Sequence, residues 1–395
     1  MRPIFRRLAA LTLVLLVVTA VPALVRSSRA AQIFEGVGTF TASALNLDPS
    51  AISVGMGGAG AAMWWSPEPN YWANPALLGY YRGVRWQGTH SELLPGFASD
   101  ISFDTGRLTL AGSGVGLEFA GRPPWMAGSL GVDYNVNLGT DSFGNPITFR
   151  GSDEVGAFGV GVSLAQLADA IASARGHQRN GLLSHFDVAG GWAEKHTVQK
   201  YTDPTFQVSG TPHDYGVVVS GGGAFGKPEA GTFEVHASYA HAVLNYDEAV
   251  LKSDDASSVP VGRMFFDGGA AHIGFHRSLV GTHTGFAALM LSGLEPLIAL
   301  DLAYDHEVTQ DAVFDRRTPT DHQGLQVSAF NVASLRFGSW SHGATFGFGL
   351  ALPVGDIGGV RYDYGRMPHQ SGYDAVTRTS YSVYLDPLAL WRTTR

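Results

Sequence analysis

The sequence predicts an all-β protein: a closed antiparallel transmembrane β-barrel of roughly 14 strands, with an N-terminal hatch inside the lumen. Three observations predict it. Apolar side chains take alternate positions through segments of about ten residues divided by turn residues, as strands between lipid and lumen require. Charged residues make up only 15% of the 395, where a soluble chain averages about 25%, while aromatics reach 11%. A Gly- and Pro-rich segment holding three tryptophans precedes the first strand and reads as a plug.

The chain opens on Arg2, Arg6 and Arg7, an apolar run from Leu8 to Val25, and Ser28-Arg29-Ala30. Small residues before Ala31 suit a secretory cleavage site after Ala30, so residues 1–30 read as a signal peptide. A signal anchor is the alternative, because the run approaches the roughly 20 residues that span a bilayer. Residues 31–82 then form the hatch segment and 83–395 the barrel.

Within the hatch segment, Gly55-Met56-Gly57-Gly58-Ala59 lets the backbone take positive φ and lets other chain approach closely. Pro67, Pro69 and Pro75 forbid a continuous helix or ladder. The segment closes on Asn74-Pro75-Ala76. This pairing of Gly-Met-Gly-Gly-Ala with Asn-Pro-Ala resembles the N-terminal segment of outer-membrane barrels related to the FadL long-chain fatty-acid transporters, in its PorV/PorQ branch. The resemblance implies an outer-membrane location, a hatch folded into the barrel, and membrane lipid as the surrounding partner. Trp64, Trp65 and two prolines stand where that family carries an acidic, small-residue run.

Three strands alternate cleanly. Phe233, Val235, Ala237 and Tyr239 share one face against Glu234, His236 and Ser238; Phe346, Phe348, Leu350 and Leu352 oppose Thr345, Gly347, Gly349 and Ala351; Tyr381, Val383 and Leu385 oppose Ser380, Ser382 and Tyr384. The small residues of the second strand leave room inside for a hatch. Further strand candidates lie at 84–91, 101–105, 107–119, 127–138, 154–164, 185–194, 215–225, 269–277, 284–291, 297–305, 324–340 and 359–366, some of them two strands and others none. Closing such a sheet satisfies every backbone donor and acceptor in lipid. A periplasmic or secreted β-sandwich shares the alternation; the hatch motif and the near absence of lysine-rich strand faces favour the barrel.

Leu164, Leu167, Ala168 and Ile171 fall at helical spacing, so a short helix is expected over 164–172, as a loop helix capping the barrel rim, an extracellular lid or a lateral element touching lipid. Polar loops are expected at 140–150, 195–214, 248–259 and 307–322. Asn331-Val332-Ala333-Ser334-Leu335-Arg336-Phe337-Gly338, Gly347-Phe348-Gly349-Leu350 and Arg361-Tyr362-Asp363-Tyr364 extend the resemblance to the closing strands.

No catalytic, cofactor-binding or metal site is expected, and no cofactor. The 14 histidines are scattered, with His236/His241 and His272/His276 at spacings that do not pair imidazoles along one strand. Gly221 to Lys227 is followed by Pro228 where a phosphate loop needs Ser or Thr. There is no cysteine, and a net charge of −8 argues against a nucleic-acid partner. Trp64, Trp65 and Trp72 either line a route for an apolar ligand or anchor the hatch to the wall. Trp86, Trp192, Trp340 and Tyr384 are expected in the lipid-interface girdles. The resemblance implies two roles: FadL-like passage of a small hydrophobic molecule past the hatch, or a PorV/PorQ-like part in type IX secretion, with secretion-system proteins or cargo as partners.

Overall fold

The computed structural model describes residues 48–389 apart from 69, 95–97, 122–130, 141, 175–185, 202–206, 228–230, 246–249, 253–256, 259–262, 278–290, 292, 312–315, 341–342, 356, 369–374 and 388. The expected signal peptide and residues 31–47 lie outside these residues, as does the expected strand at 284–291 but for Leu291.

The described strand segments join into a closed antiparallel barrel of fourteen strands. The first half comprises β1 (Gly83–Leu94), β2 (Ala98–Gly112), β3 (Val115–Ala120, resumed at Gly131–Thr140), β4 (Pro146–Ser163), β5 (Phe186–Tyr201), β6 (Gln207–Gly210, resumed at His213–Lys227) and β7 (Gly231–Asn245, resumed at Val250–Lys252). The second comprises β8 (Ser257–Ser258, resumed at Arg263–His276), β9 (Ile298–Asp311), β10 (Arg316–Ala329), β11 (Ala333–Trp340), β12 (Gly343–Val354), β13 (Gly358–Met367) and β14 (Val376–Leu385). Each pairs with its sequence neighbours, and β14 closes on β1 from Val84↔Leu385 to Glu92↔Thr377. No edge is left to template a further strand. Both ends of this closure share one end of the barrel with the tight turns at Ser113-Gly114 and Phe330-Asn331; this is the terminal end, and the opposite one the loop end.

Alternation sorts the wall as expected. Phe233, Tyr239, Phe346, Leu350, Leu352, Tyr381 and Val383 point outward and are exposed, whereas Ser238, Thr345, Ser380 and Ser382 point inward and are buried. An exposed apolar exterior around a polar interior is the reverse of a soluble sandwich and the pattern of a barrel in lipid. No described helix is long and apolar enough to cross a membrane.

Several expected boundaries are corrected. Residues 107–119 and 324–340 each hold two strands, because Ser113 (φ 56°) with Gly114, and Phe330 (φ 54°) with Asn331 (φ 51°), turn the chain back. Turns of so few residues leave no charged or proline-rich punctuation to read. The expected loops at 140–150, 195–214 and 307–322 are largely strand: β4 begins at Pro146, β5 reaches Tyr201, and Asp311 pairs with Arg316 across β9 and β10. Their polar sequences belong to strand ends that continue past the apolar band, where water replaces lipid. Trp340 and Tyr384 also prove to face inward. Trp340 stacks on buried His322 (6.2 Å between centroids) and Tyr384 sits beside Arg85, while Trp86 remains on the outer face.

The helix α2 runs Leu164–Ala174 at the terminal end. Ser163 Oγ accepts from the Gln166 amide and Asp187 Oδ1 from the Ala165 amide, so two of its first amides are capped. Leu164 and Ile171 are exposed on its outer side.

Candidate functional site

Residues 48–81 occupy the interior of the ring, with almost every described residue buried. They begin in α1 (Ala51–Gly55), capped by Ser50, whose Oγ accepts from the Ser53 amide at 3.1 Å. All five helical residues are buried, and Gly55 lies 3.0 Å by its absent Cβ from the Gly347 backbone. Gly57 (φ 74°) and Gly58 (φ 88°) then reverse the chain in a conformation that a side chain would strain.

The wall grips this turn directly. Asp305 Oδ2 accepts from the Gly60 and Ala61 amides at 2.7 and 2.8 Å. His322 places Nδ1 2.7 Å from the Gly57 carbonyl and Nε2 3.1 Å from Glu307 Oε2. Ser238 donates to the Ala62 carbonyl at 2.6 Å, and Thr345 to the Gly55 carbonyl at 3.0 Å. These bonds come from β7, β9, β10 and β12.

Asn74-Pro75-Ala76 fulfils a local role that its residue types dictate. Asn74 caps a 3₁₀ helix over Pro75–Tyr80, accepting from the Ala76 amide at 3.0 Å, with proline at the first helical position, where no amide is needed. Its Nδ2 donates to the Ala61 carbonyl at 3.0 Å, so the two halves of the sequence motif are tied together. The 3₁₀ turn rests on inward glycines of the opposite wall: Gly191 against Pro75 and Ala76, Gly116 against Leu78. Met56, Ala59 and Ala76 complete the contact as buried core residues.

Buried ion pairs fix the rest. Glu68 accepts from Arg107 Nη2 at 2.8 Å and from Gln87 Nε2, the pair being almost fully enclosed. Burial pushes the Glu68 carboxyl upward, opposed by the Arg107 charge. Burial also pushes the Tyr71 and Tyr80 phenols up, and that of Tyr81 up to about 12, so all three stay neutral hydroxyls; Tyr81 donates to the Pro67 carbonyl. A longer network crosses the wall: Asp301 accepts from Gln326, Gln326 from Arg336, and Asp363 from both Arg336 and Arg361.

The three tryptophans of the segment have different surroundings. Trp72 is buried under the Lys195 ammonium, 4.2 Å from its ring centroid, and Lys195 pairs with Asp214 at 2.6 Å. Lys195→Met is expected to lower stability by roughly 3–5 kcal/mol, since it strands a buried carboxylate. Urea unfolding in vesicles checks this; Lys195→Met with Asp214→Leu should recover most of the loss.

Trp64 and Trp65 are only partly buried and belong to a cluster of rings at the terminal end. Trp64 stacks on Tyr80 (5.0 Å) and meets His236 edge-on (4.9 Å); Trp65 lies 5.6 Å from His272; the two imidazoles stack at 5.9 Å. His272 Nδ1 is 2.5 Å from Asp301, and His236 bonds Glu234. Among the described residues no group of three or more such side chains is arranged to hold a metal ion.

The sequence placed the hatch-motif residues on one segment but not their partners. Asp305, His322 and Arg107 carry no local sequence signal for this role, Ser238 is marked only as an inward residue of its strand, and histidine spacing along a strand does not reveal pairs between strands. The pair that forms is across them, His236 opposite His272 in register. The available signal was parity: on strands with an apolar face, all of these stand on the other one.

No family model matches the chain, and no curated protein matches it. Solved structures do. The chain is similar to the Ralstonia pickettii toluene transporter TbuX, with 11% identity, a TM-score of 0.43, and 86% of this chain and 99% of that one covered. It is also similar to the CymD monoaromatic hydrocarbon channel (11% identity, TM-score 0.37, coverage 85% and 97%). A third is a FadL homologue of Pseudomonas aeruginosa (9% identity, TM-score 0.35, coverage 85% and 98%).

Proposed function

We propose that this chain is an outer-membrane barrel through which small hydrophobic molecules pass without covalent chemistry, guided by the segment 48–81 acting as a hatch. The observation that carries this reading is the ring cluster of Trp64, Trp65, Tyr80, His236 and His272. It is a place inside the wall where aromatic faces from the segment and from β7 and β8 converge while two indoles stay partly uncovered. Aromatic faces give a large contact area at low entropic cost and tolerate varied apolar partners. The signal peptide over residues 1–30, with cleavage after Ala30, delivers the chain to that membrane.

The test is native mass spectrometry of the protein purified from its own outer membrane in mild detergent. A retained apolar molecule is expected, and it should be lost in the Trp64→Ala/Trp65→Ala variant. Retention unchanged by that variant would overturn the assignment of the cluster. The second reading, a PorV/PorQ-like holder of secretion cargo or translocon, is supported by the paired motif Gly55–Ala59 and Asn74–Ala76; a co-purifying secretion protein with no small molecule would favour it.

A further inference from the structure

The inner surface where β14, β1 and β2 meet is organised differently from the aromatic cluster. Inward residues face one another in register rows: Arg378 with Ser91 and Phe103, then Ser380 with Thr89 and Thr105, then Ser382 with Gln87 and Arg107. Two guanidinium groups thus bracket a row of hydroxyls. Every one of the bracketing groups is deeply buried: Arg378 and Arg107 are 1% exposed, Thr89 and Thr105 4%.

Their hydrogen bonding is incomplete. Arg378 Nε and Nη2, Arg107 Nε and Nη1, and both threonine hydroxyls have no hydrogen-bond partner among the described residues. The carboxylates of the hatch segment whose charge Arg107 feels are engaged elsewhere. Glu68 binds Arg107 through Nη2 alone, and Asp48 accepts from the Ser50 amide at 2.8 Å and from Asn70 Nδ2 at 2.6 Å. Arg378 lies against the Phe103 ring, 5.4 Å from its centroid, and shares the field of the Asp48 carboxylate with Arg107. Buried polar groups in folded proteins are ordinarily satisfied, and a buried cation most of all. Forked guanidinium donors match a group with several acceptor oxygens and a negative charge, and hydroxyls between them donate to the same group. Water would supply acceptors but no compensating charge.

We propose that the seam between Arg378, Thr89, Thr105 and Arg107 binds an oxyanion, a carboxylate or phosphate group. The site lies on the β14–β1–β2 wall and does not rest on the aromatic cluster, whose residues stand on β7, β8 and the 3₁₀ helix. Its anion is either a free solute or the headgroup of an amphiphile.

Isothermal titration of the full-length protein in mild detergent tests this with two probes, inorganic phosphate and decanoate below its micellar concentration. Binding of at least one probe is expected, weakened at least tenfold in Arg378→Gln and unchanged in Gly190→Val, where an added Cβ meets nothing within 4 Å. Phosphate binding that depends on Arg378 identifies a free oxyanion; dependence seen with decanoate alone identifies a headgroup. Should Arg378→Gln fail to give a heat-modifiable barrel on gels, Thr89→Val/Thr105→Val keeps both charges and is expected to weaken binding severalfold. No binding of either probe, or wild-type affinity in the folded variants, overturns the proposal.

Discussion

Gly338→Val is expected to drive the hatch segment away from the wall and open the barrel. A Cβ at Gly338 would fall within van der Waals contact of the Met56 carbonyl carbon and the Gly57 amide, and 2.7 Å from the Gln323 carbonyl. Met56 and Gly57 lead into a turn already committed to positive φ and Gln323 is backbone of the paired strand β10, so nothing there yields cheaply. Overpacking of this kind costs about 1–3 kcal/mol or more. The strand itself tolerates valine, whose branched side chain suits a pleated wall. The closest clashes are with the hatch segment, so most of the cost falls on that contact and a smaller share on the pairing of β10 with β11. Planar-bilayer recordings should show larger and more frequent conductance steps than the wild type. Gly190→Val is the control, since a Cβ there meets nothing within 4 Å, and it should behave as the wild type. A silent Gly338→Val would mean that the turn at Gly57 does not close the lumen.

Asp305→Ala is expected to free the same turn from the other side while leaving the strands intact. One carboxylate oxygen holds two consecutive amides, and its removal leaves both Gly60 and Ala61 buried without an acceptor. Hydrogen bonds to a charged group are worth about 1.5–3 kcal/mol each, so a loss of roughly 3–6 kcal/mol in local stability follows. Hydrogen exchange reads this directly: amides of residues 57–63 should exchange at least a hundredfold faster, with those of β9 and β10 unchanged. Asp305→Asn, which keeps one acceptor oxygen, should fall between. Uniformly faster exchange through the barrel would instead make Asp305 a determinant of the whole fold.

Both predictions depend on residues that differ in how far their roles were legible. The outward set was readable from sequence: Phe233, Tyr239, Phe346, Leu350, Tyr381 and Val383 recur at period two, and a strand in lipid allows that pattern on one face only. The glycines of the hatch motif were readable too, because positive φ and close approach select that residue type. The turns at Ser113 and Phe330 were not, since a two-residue reversal inside a continuous alternation leaves almost no compositional mark. Polar strand ends such as 195–201 were read as loop for a related reason: once a strand leaves the apolar band, nothing enforces alternation.

The sequence by itself determined the class of object, a closed barrel with an apolar exterior and a glycine-hinged segment before its first strand. It did so because lipid on one side and a filled lumen on the other impose a two-residue period that no other environment sustains around a whole sheet. Only the tertiary structure decided what holds the hatch segment and where binding groups converge. Asp305 reaches Gly60 across 245 positions, and His236 meets His272 only because β7 and β8 pair in one register. Such contacts depend on closure and shear, which are properties of all fourteen strands together, and no local stretch of residues encodes them.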